Sequence, residues 1–155
     1  MKLNIRKVAQ IVLLLLIFLT VAFILIQSMI PPEESQKESD TVGDIIADII
    51  PPETPPGEYI QINLRKIAHF VEFAILGVFT SLYVIFYLGK FKAMALTFPA
   101  ALILALLDET VQIFSERGPS VKDVWIDFLG FAIVCVLSYT VYGVTKYISS
   151  KCKQK

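Results

Sequence analysis

The sequence predicts an all-α membrane protein, a bundle of four transmembrane helices. The 155-residue chain is 55% hydrophobic, and its apolar residues fall into four long blocks. At about 1.5 Å per residue, each block is long enough to cross a bilayer core of roughly 30 Å. Charges in the last three blocks gather toward one end, whereas a soluble bundle would carry a polar stripe along every helix. The blocks are Val8 to Ile30, Ile67 to Leu88, Ala93 to Phe114, and Val124 to Tyr147.

The first block contains no charged residue and predicts an N-terminal transmembrane anchor helix over residues 1–30. A cleaved signal peptide is the alternative interpretation. The apolar stretch is longer than a typical signal-peptide core, and no small-x-small cleavage site precedes Pro31. A retained anchor is therefore favoured.

Residues 31–63 predict an extracytoplasmic acidic, proline-rich loop. The sequence IPPE occurs at residues 30–33 and again at 50–53, and these prolines exclude one continuous helix. Residues 44–50 fit a short amphipathic helix on the membrane surface, and a flexible acidic linker is an equal alternative. The sequence leaves both open and assigns no chemistry to this loop.

Residues 64–148 predict a three-helix membrane domain, and residues 149–155 a basic cytoplasmic tail. Small side chains in the third apolar block, at Ala95, Ala101 and Ala105, favour close helix packing. Gly77 and Gly130 offer the same surface in the second and fourth blocks. Close packing of the last three helices is the simplest interpretation.

Basic residues predict the orientation, because they favour the cytoplasmic side of a membrane protein. Four crossings place nine of the 14 basic residues on one side, so both termini are expected in the cytoplasm. Residues 31–63 and the turn at 115–123 then face outward. The nine are Lys2, Arg6, Lys7, Lys90, Lys92, Lys146, Lys151, Lys153 and Lys155.

Composition excludes several classes of protein. Basic and acidic residues balance at 14 each, so nothing indicates nucleic-acid binding. Cys135 and Cys152 lie at different depths, which argues against a disulfide between them. With one histidine and two separated cysteines, a structural zinc site is not expected, and the sequence predicts no metal and no cofactor.

Polar residues stand on shared helical faces at the outer end of each of the last three blocks. Ionisable groups at that depth are costly unless they pair or serve a function. Counting inward from Arg65 and Ser115 places Glu72 and Asp108 about 10 Å deep, with Asp127 slightly shallower. We therefore expect one outward-facing polar crevice with an apolar floor. The faces hold Arg65, His69 and Glu72; Asp108 and Gln112, with Glu109 beside them; and Asp123 and Asp127.

The rim of this crevice is basic, with Arg65, Lys66, Arg117 and Lys122. Gly118 to Ser120 predicts a turn in which Ser120 caps the fourth helix and Asp123 completes a capping box. A helix N-terminus beside an arginine favours a phosphate or carboxylate. The sequence therefore predicts that an anionic head group docks here while its lipid tail lies in the bilayer.

Three alternatives compete with this binding site. In a purely structural role, Arg117 would pair with Asp108 or Glu109, and Arg65 with Glu72. The number of ionisable and polar side chains at one depth is larger than such pairing requires. An enzyme would use Glu72 or Asp108 as base, His69 as proton shuttle and Arg117 to stabilise an anion. Neither Ser115 nor Ser120 lies in a nucleophile motif. A transporter is disfavoured because the inner helix halves carry almost no ionisable residues.

The ordered polar positions resemble the signature of the VanZ-like family of bacterial membrane proteins over roughly the last two thirds of the chain. The matching motifs are KxxHxxEF from Lys66, DExxQxF from Asp108, Arg117, and SxxDVxxDxxG from Ser120. Phe73 and Asp127 depart from the family's usual Tyr and Asn, which removes one hydroxyl and adds one charge. The first helix fits the family only in kind.

The resemblance implies a protein of the bacterial cytoplasmic membrane that acts at the cell envelope. VanZ is associated with reduced susceptibility to teicoplanin, a lipid-bearing glycopeptide antibiotic, so the implied partners are a lipid-linked cell-wall precursor or a lipoglycopeptide. The family has no agreed biochemical activity. The predicted ligand-binding set is Arg65, Lys66, His69, Glu72, Asp108, Glu109, Gln112, Arg117, Ser120, Asp123 and Asp127.

Overall fold

The computed structural model describes residues 4–152, and within that range the chain is helical with no strand. Four helices are long and apolar enough to cross a membrane, the second of them including a terminal π-helical turn at Val84–Leu88. This confirms the predicted all-α, four-helix membrane fold. Lys2, Lys153 and Lys155, used above to predict orientation, lie outside the described residues. The α-helices are α1 (Ile5–Met29), α2 (Pro32–Ala47), α3 (Pro55–Tyr83), α4 (Phe91–Phe114) and α5 (Val121–Cys152).

The four long helices form a ring in the order α1, α3, α5 and α4. The contact between α3 and α5 is the most extensive, α1 packs against both α3 and α4, and α4 closes the ring against α5. The interior is small and holds mainly Ile24, Phe73, Leu76, Ala101, Ala105, Val124, Phe131 and Cys135. Many large apolar side chains face outward, as a helix surface in lipid requires.

Two glycines set the close approach of α3 and α5. A Cβ atom at Gly130 would lie 2.3 Å from the backbone oxygen of Phe70, and one at Gly77 would lie 2.9 Å from that of Phe131. Both distances are too short for a side chain, so these positions accept only glycine without movement of the backbone. The predicted packing role of Gly77 and Gly130 is confirmed.

Only part of the small-residue surface predicted on the third apolar block packs against other helices. Ala101 and Ala105 are buried in the interior of the bundle, whereas Ala95 is exposed. Ala95 precedes Ala101 by six residues, which places it on a different face of α4, because residues three or four apart share a face. The prediction for Ala95 was therefore wrong.

The segment between α1 and α3 is mostly helical. Helix α2 begins at Pro32, earlier than the amphipathic segment predicted at residues 44–50 and in place of the alternative flexible linker. Proline is tolerated at a first helical position, and Glu33 and Glu34 in the first turn complement the helix dipole. Helix α2 packs along α3, where Gln61 Nε2 donates to the Gly43 carbonyl at 2.9 Å.

The second pair of prolines ends this helical segment, as the sequence predicts, and α3 starts soon afterwards. Thr54 caps α3 by accepting a hydrogen bond from Gly57 N at 3.2 Å. Because α3 begins at Pro55, the domain boundary predicted at residue 64 falls within a helix. The division into an anchor, a loop and a three-helix domain stays a prediction.

Candidate functional site

The centre of the polar cluster is one imidazole facing two carboxylates, each from a different helix. His69 Nδ1 on α3 lies 3.8 Å from Asp108 Oδ2 on α4 and 3.9 Å from Asp127 Oδ1 on α5. Asp108 and Asp127 are fully buried, and His69 is 9% exposed. The structure thus brings together three residues that the sequence places on three separate helix faces.

Asp108 is held by two hydrogen-bond donors. Ser28 Oγ donates to Asp108 Oδ1, and Gln112 Nε2, one turn along α4, donates to Asp108 Oδ2 at 3.0 Å. Ser28 belongs to α1 and was missed, although it forms a polar pair with Gln27 near the end of a charge-free run. Helix α1 therefore contributes directly to the cluster.

Gln112 and Glu109 connect α4 to its neighbours. Gln112 Oε1 accepts from Arg65 Nη2 at 2.8 Å, and Gln112 Nε2 also donates to Glu109 Oε1 at 3.1 Å. Glu109 Oε2 accepts from the backbone N–H of Ser120 at 2.6 Å. Because its contacts join α4 to the following turn, Glu109 holds the start of α5 in place.

Ser120 caps α5, but the predicted capping box is incomplete. Ser120 Oγ accepts from Asp123 N at 3.4 Å, as predicted for an N-cap. The reciprocal bond, from Ser120 N to Asp123, is replaced by the bond from Ser120 N to Glu109. One oxygen of Asp123, Oδ1, is consequently buried without a hydrogen-bond partner.

The turn between α4 and α5 directs Arg117 toward α1 and α2. Glu116 adopts a left-handed conformation with φ 58°, and Arg117 N donates to the Gln112 carbonyl at 3.1 Å, an arrangement common at helix ends. The guanidinium donates through Nη1 to the Gln27 carbonyl at 3.1 Å and through Nη2 to Ser35 Oγ. Its Nε is buried without a partner.

The arginine–carboxylate pairs of the purely structural alternative are not formed. Among residues 4–152, the one basic side chain within 4.0 Å of a carboxylate is the imidazole of His69, which faces Asp108 and Asp127. Arg65 binds the amide of Gln112, and Arg117 binds a carbonyl and a hydroxyl. Burial, and next the charge of Arg65, lower the pKa of the Arg117 guanidinium. The structure therefore does not contain the pairing of Arg117 with Asp108 or Glu109, or of Arg65 with Glu72, on which the structural alternative depends.

A cavity of about 410 Å³ lies beside Arg117, between α2 and residues 64–72 of α3. Arg65, His69 and Glu72 reach it from α3, and Glu72 Oε2 is buried there without a hydrogen-bond partner. Glu72 is not bonded to His69, which faces the two aspartates instead. The apolar side chains that line the cavity include Val42, Ile46, Leu64, Ile67 and Val71.

Lys66 lies apart from the cluster. It is exposed on α3 and, within the part of the chain that the structure describes, makes no hydrogen bond or ion pair with the cluster. Lys122, predicted at the rim, is also exposed. The cations that reach the cavity are therefore the two arginines.

The central triad can exchange protons or hold a cation. One ligand atom from each of His69, Asp108 and Asp127 lies within 4.8 Å of the others. Imidazole nitrogen and carboxylate oxygen are both metal ligands, and both accept protons.

Comparison with known proteins gives one match. The profile of the VanZ/LLP1 family matches residues 12–142, so the match includes most of α1, all of α2 to α4 and part of α5. No curated protein and no solved structure matches the chain significantly. The matched region extends beyond the last two thirds of the chain and contains the whole polar cluster.

Proposed function

Because the chain belongs to the VanZ/LLP1 family and is a multi-pass membrane protein, we propose that it binds the anionic head group of a lipid-linked cell-envelope molecule in the cavity beside Arg117. One observation carries the proposal. Arg65 and Arg117 line the same cavity, and neither guanidinium has a carboxylate within 4.0 Å among residues 4–152.

The two arginines favour an anion on their side of the cavity, which Glu38 and Glu72 also line. Arg117 is buried, and the positive charge of Arg65 is among the causes that lower its pKa, so the two cations repel each other. A phosphate or carboxylate between them would relieve that repulsion and accept charge-assisted hydrogen bonds. The bonds of Arg117 to Gln27 and Ser35 hold the guanidinium in place before a ligand arrives.

The shape of the cavity favours a lipid-linked ligand. Val42 and Ile46 of α2 belong to its apolar lining, and its polar lining residues are Gln27, Ser35, Glu38, Ser39, Arg65, His69, Glu72 and Arg117. Binding sites for small molecules commonly combine an apolar lining with a few polar groups. A head group on the polar side leaves the attached chain next to the apolar lining and the surrounding bilayer.

The proposal includes an orientation and an effect. The cavity faces outward in the bacterial cytoplasmic membrane, with both termini in the cytoplasm, following the distribution of basic residues. If the protein binds a lipid-linked wall precursor, or the lipid-bearing antibiotic itself, that binding would lower susceptibility to teicoplanin-type glycopeptides. Labelling of single cysteines introduced at exposed positions of α2 tests the orientation separately from the binding.

Binding is tested with purified full-length protein in detergent and a polyprenyl phosphate probe. We expect Arg117→Ala and Arg65→Ala each to weaken binding at least tenfold, and the uncharged polyprenol of equal length to bind far more weakly than the phosphate. Lys92 is an exposed cation near the start of α4, at the opposite end of the bundle. Lys92→Ala is therefore the matched control and should bind the probe as the wild type does. Unchanged binding by Arg117→Ala would remove the main support.

The second candidate is an enzyme that acts on the same class of lipid. The favouring observation is that His69 lines the cavity while its ring faces two buried aspartates, so a proton-transfer group adjoins the proposed site. Glu72, whose Oε2 has no hydrogen-bond partner, would serve as base. Turnover that Glu72→Gln and Asp108→Asn abolish supports catalysis, and tight binding without product supports a binding protein.

A further inference from the structure

We propose that His69, Asp108 and Asp127 bind one divalent metal ion of the zinc or manganese type. This inference goes beyond head-group binding and does not depend on it. The ligands would be His69 Nδ1, Asp108 Oδ2 and Asp127 Oδ1, one from each of α3, α4 and α5. Asp108 and Asp127 lie behind His69 and do not line the cavity beside Arg117.

The distances fit a shared ion. Zinc binds imidazole nitrogen and carboxylate oxygen at roughly 2.0 to 2.2 Å, so two ligands of one ion lie at most about 4.4 Å apart. His69 Nδ1 is 3.8 Å from Asp108 Oδ2 and 3.9 Å from Asp127 Oδ1, too far for direct hydrogen bonds. The whole triad lies within 4.8 Å, so a small contraction brings all three atoms onto one ion.

Unpartnered ligand atoms give a second, independent indication. Both oxygens of Asp127 and Nδ1 of His69 are buried without a hydrogen-bond partner, and Asp127 is 0% exposed. A buried carboxylate without donors is costly, and the nearby Asp108 carboxylate adds repulsion. No arginine or lysine lies within 4.0 Å of either aspartate among residues 4–152. A divalent ion would supply the missing charge and bonds.

The surroundings of Asp108 resemble those of a metal ligand. Ser28 Oγ donates to Asp108 Oδ1, and Gln112 Nε2 donates to Oδ2, so the carboxylate is oriented from both sides. Donors of this kind fix metal ligands, and removing one commonly weakens metal affinity about 10- to 100-fold. Three protein ligands leave a further coordination position on the ion for a water or a ligand atom.

The proposal departs from the prediction of no metal. That prediction excluded a structural zinc site of cysteines and histidines, because the chain has one histidine and two separated cysteines. A site with two carboxylates and one imidazole was not considered. Its three residues are far apart in sequence, and only the folded bundle brings them together.

The test measures metal content and thermal stability of the full-length protein in detergent. Protein stripped with EDTA is titrated with Zn²⁺ or Mn²⁺, and bound metal is measured by mass spectrometry after desalting. We expect about one equivalent for the wild type and for Asp44→Asn, a matched change at an exposed aspartate of α2. Asp127→Asn and His69→Gln should lose it, and Ser28→Ala should bind about tenfold more weakly.

Two outcomes would overturn the proposal. One is metal bound equally by the wild type, Asp127→Asn and His69→Gln, which would place the ions elsewhere. The other is no rise in the unfolding temperature of the wild type on adding either metal, because a ligand that binds only the folded state must stabilise it. The second outcome needs only the wild type, so it decides the matter even when the variants do not fold.

Discussion

The same helices meet in two different ways along their length. At the crossing of α3 and α5, Gly77 and Gly130 bring the two backbones into direct contact. At the polar cluster, buried atoms of five residues lack hydrogen-bond partners: His69, Glu72, Arg117, Asp123 and Asp127. The crossing brings the backbones into close contact, whereas the cluster holds buried polar atoms that the fold itself does not pair. Residues that violate the rules of stable packing are expected at functional sites.

The largest expected effect on stability comes from substitution at the crossing of α3 and α5, where Gly77 and Gly130 lie. Gly130→Ala places a methyl group where it would lie 2.3 Å from the backbone oxygen of Phe70, so α3 and α5 must separate. We expect a loss of about 3 kcal/mol in the free energy of unfolding, at the upper end of overpacking effects. Titration with a denaturing detergent, followed by circular dichroism, measures it.

Gly143→Ala is the matched control for this change. No atom lies within 4 Å of the position that its Cβ would occupy, so the same substitution on the same helix should leave stability unchanged or slightly raised. Gly77→Ala, with a 2.9 Å contact, should fall between the two. Equal effects of the three substitutions would show that the crossing is not the stabilising contact.

The next effect concerns the link between α1 and the cluster. Ser28→Ala removes a donor from the buried Asp108 carboxylate, and we expect a loss of about 2 kcal/mol because hydrogen bonds to charged groups are the strong ones. Ser81→Ala is the control, since within residues 4–152 this buried hydroxyl donates to the Val78 carbonyl of its own helix and to no other group. Thermal unfolding of both variants in EDTA measures the difference, and equal losses would contradict a specific role for Ser28.

The two aspartates should respond to the same substitution with opposite signs. In EDTA, Asp127→Asn replaces a buried carboxyl group whose two oxygens have no hydrogen-bond donor and which lies near Asp108, so we expect a gain of about 1 kcal/mol. Asp108→Asn should lower stability, because the donors Ser28 and Gln112 then lose a charged acceptor. Thermal unfolding measures both, and a loss in Asp127→Asn equal to that in Asp108→Asn would refute the contrast.

The sequence predicted the helices and the polar faces because both depend on local patterns. Long apolar runs define membrane helices, and spacings of three and four place His69 with Glu72 and Asp108 with Gln112. The partners of these residues were less predictable. Ser28 and Ser35 come from elements that the sequence treats as an anchor and a loop, and no periodicity indicates which helix they meet.

The ion pairs of the structural alternative are absent for a related reason. Opposite charges at one depth left open the pairing of arginines with carboxylates. The left-handed backbone at Glu116 instead directs Arg117 toward the last turn of α1, where the Gln27 carbonyl accepts a hydrogen bond. Carbonyls in a last helical turn lack full intrahelical pairing and attract cations. That geometry depends on how α1 docks, which local sequence does not encode.

The smallest expected effect concerns the Ser120 N-cap of α5 and its contribution to the free energy of unfolding. Ser120→Ala removes a hydrogen bond of 3.4 Å to Asp123 N, while the backbone bond from Ser120 N to Glu109 remains. We expect a loss of about 0.5 kcal/mol, at the low end for N-caps. Thr54→Ala, which removes bonds of both 3.2 Å and 2.7 Å at the start of α3, should cost about 1 kcal/mol. A larger loss for Ser120→Ala in thermal unfolding would mean that its hydroxyl, and not Glu109, fixes the start of α5.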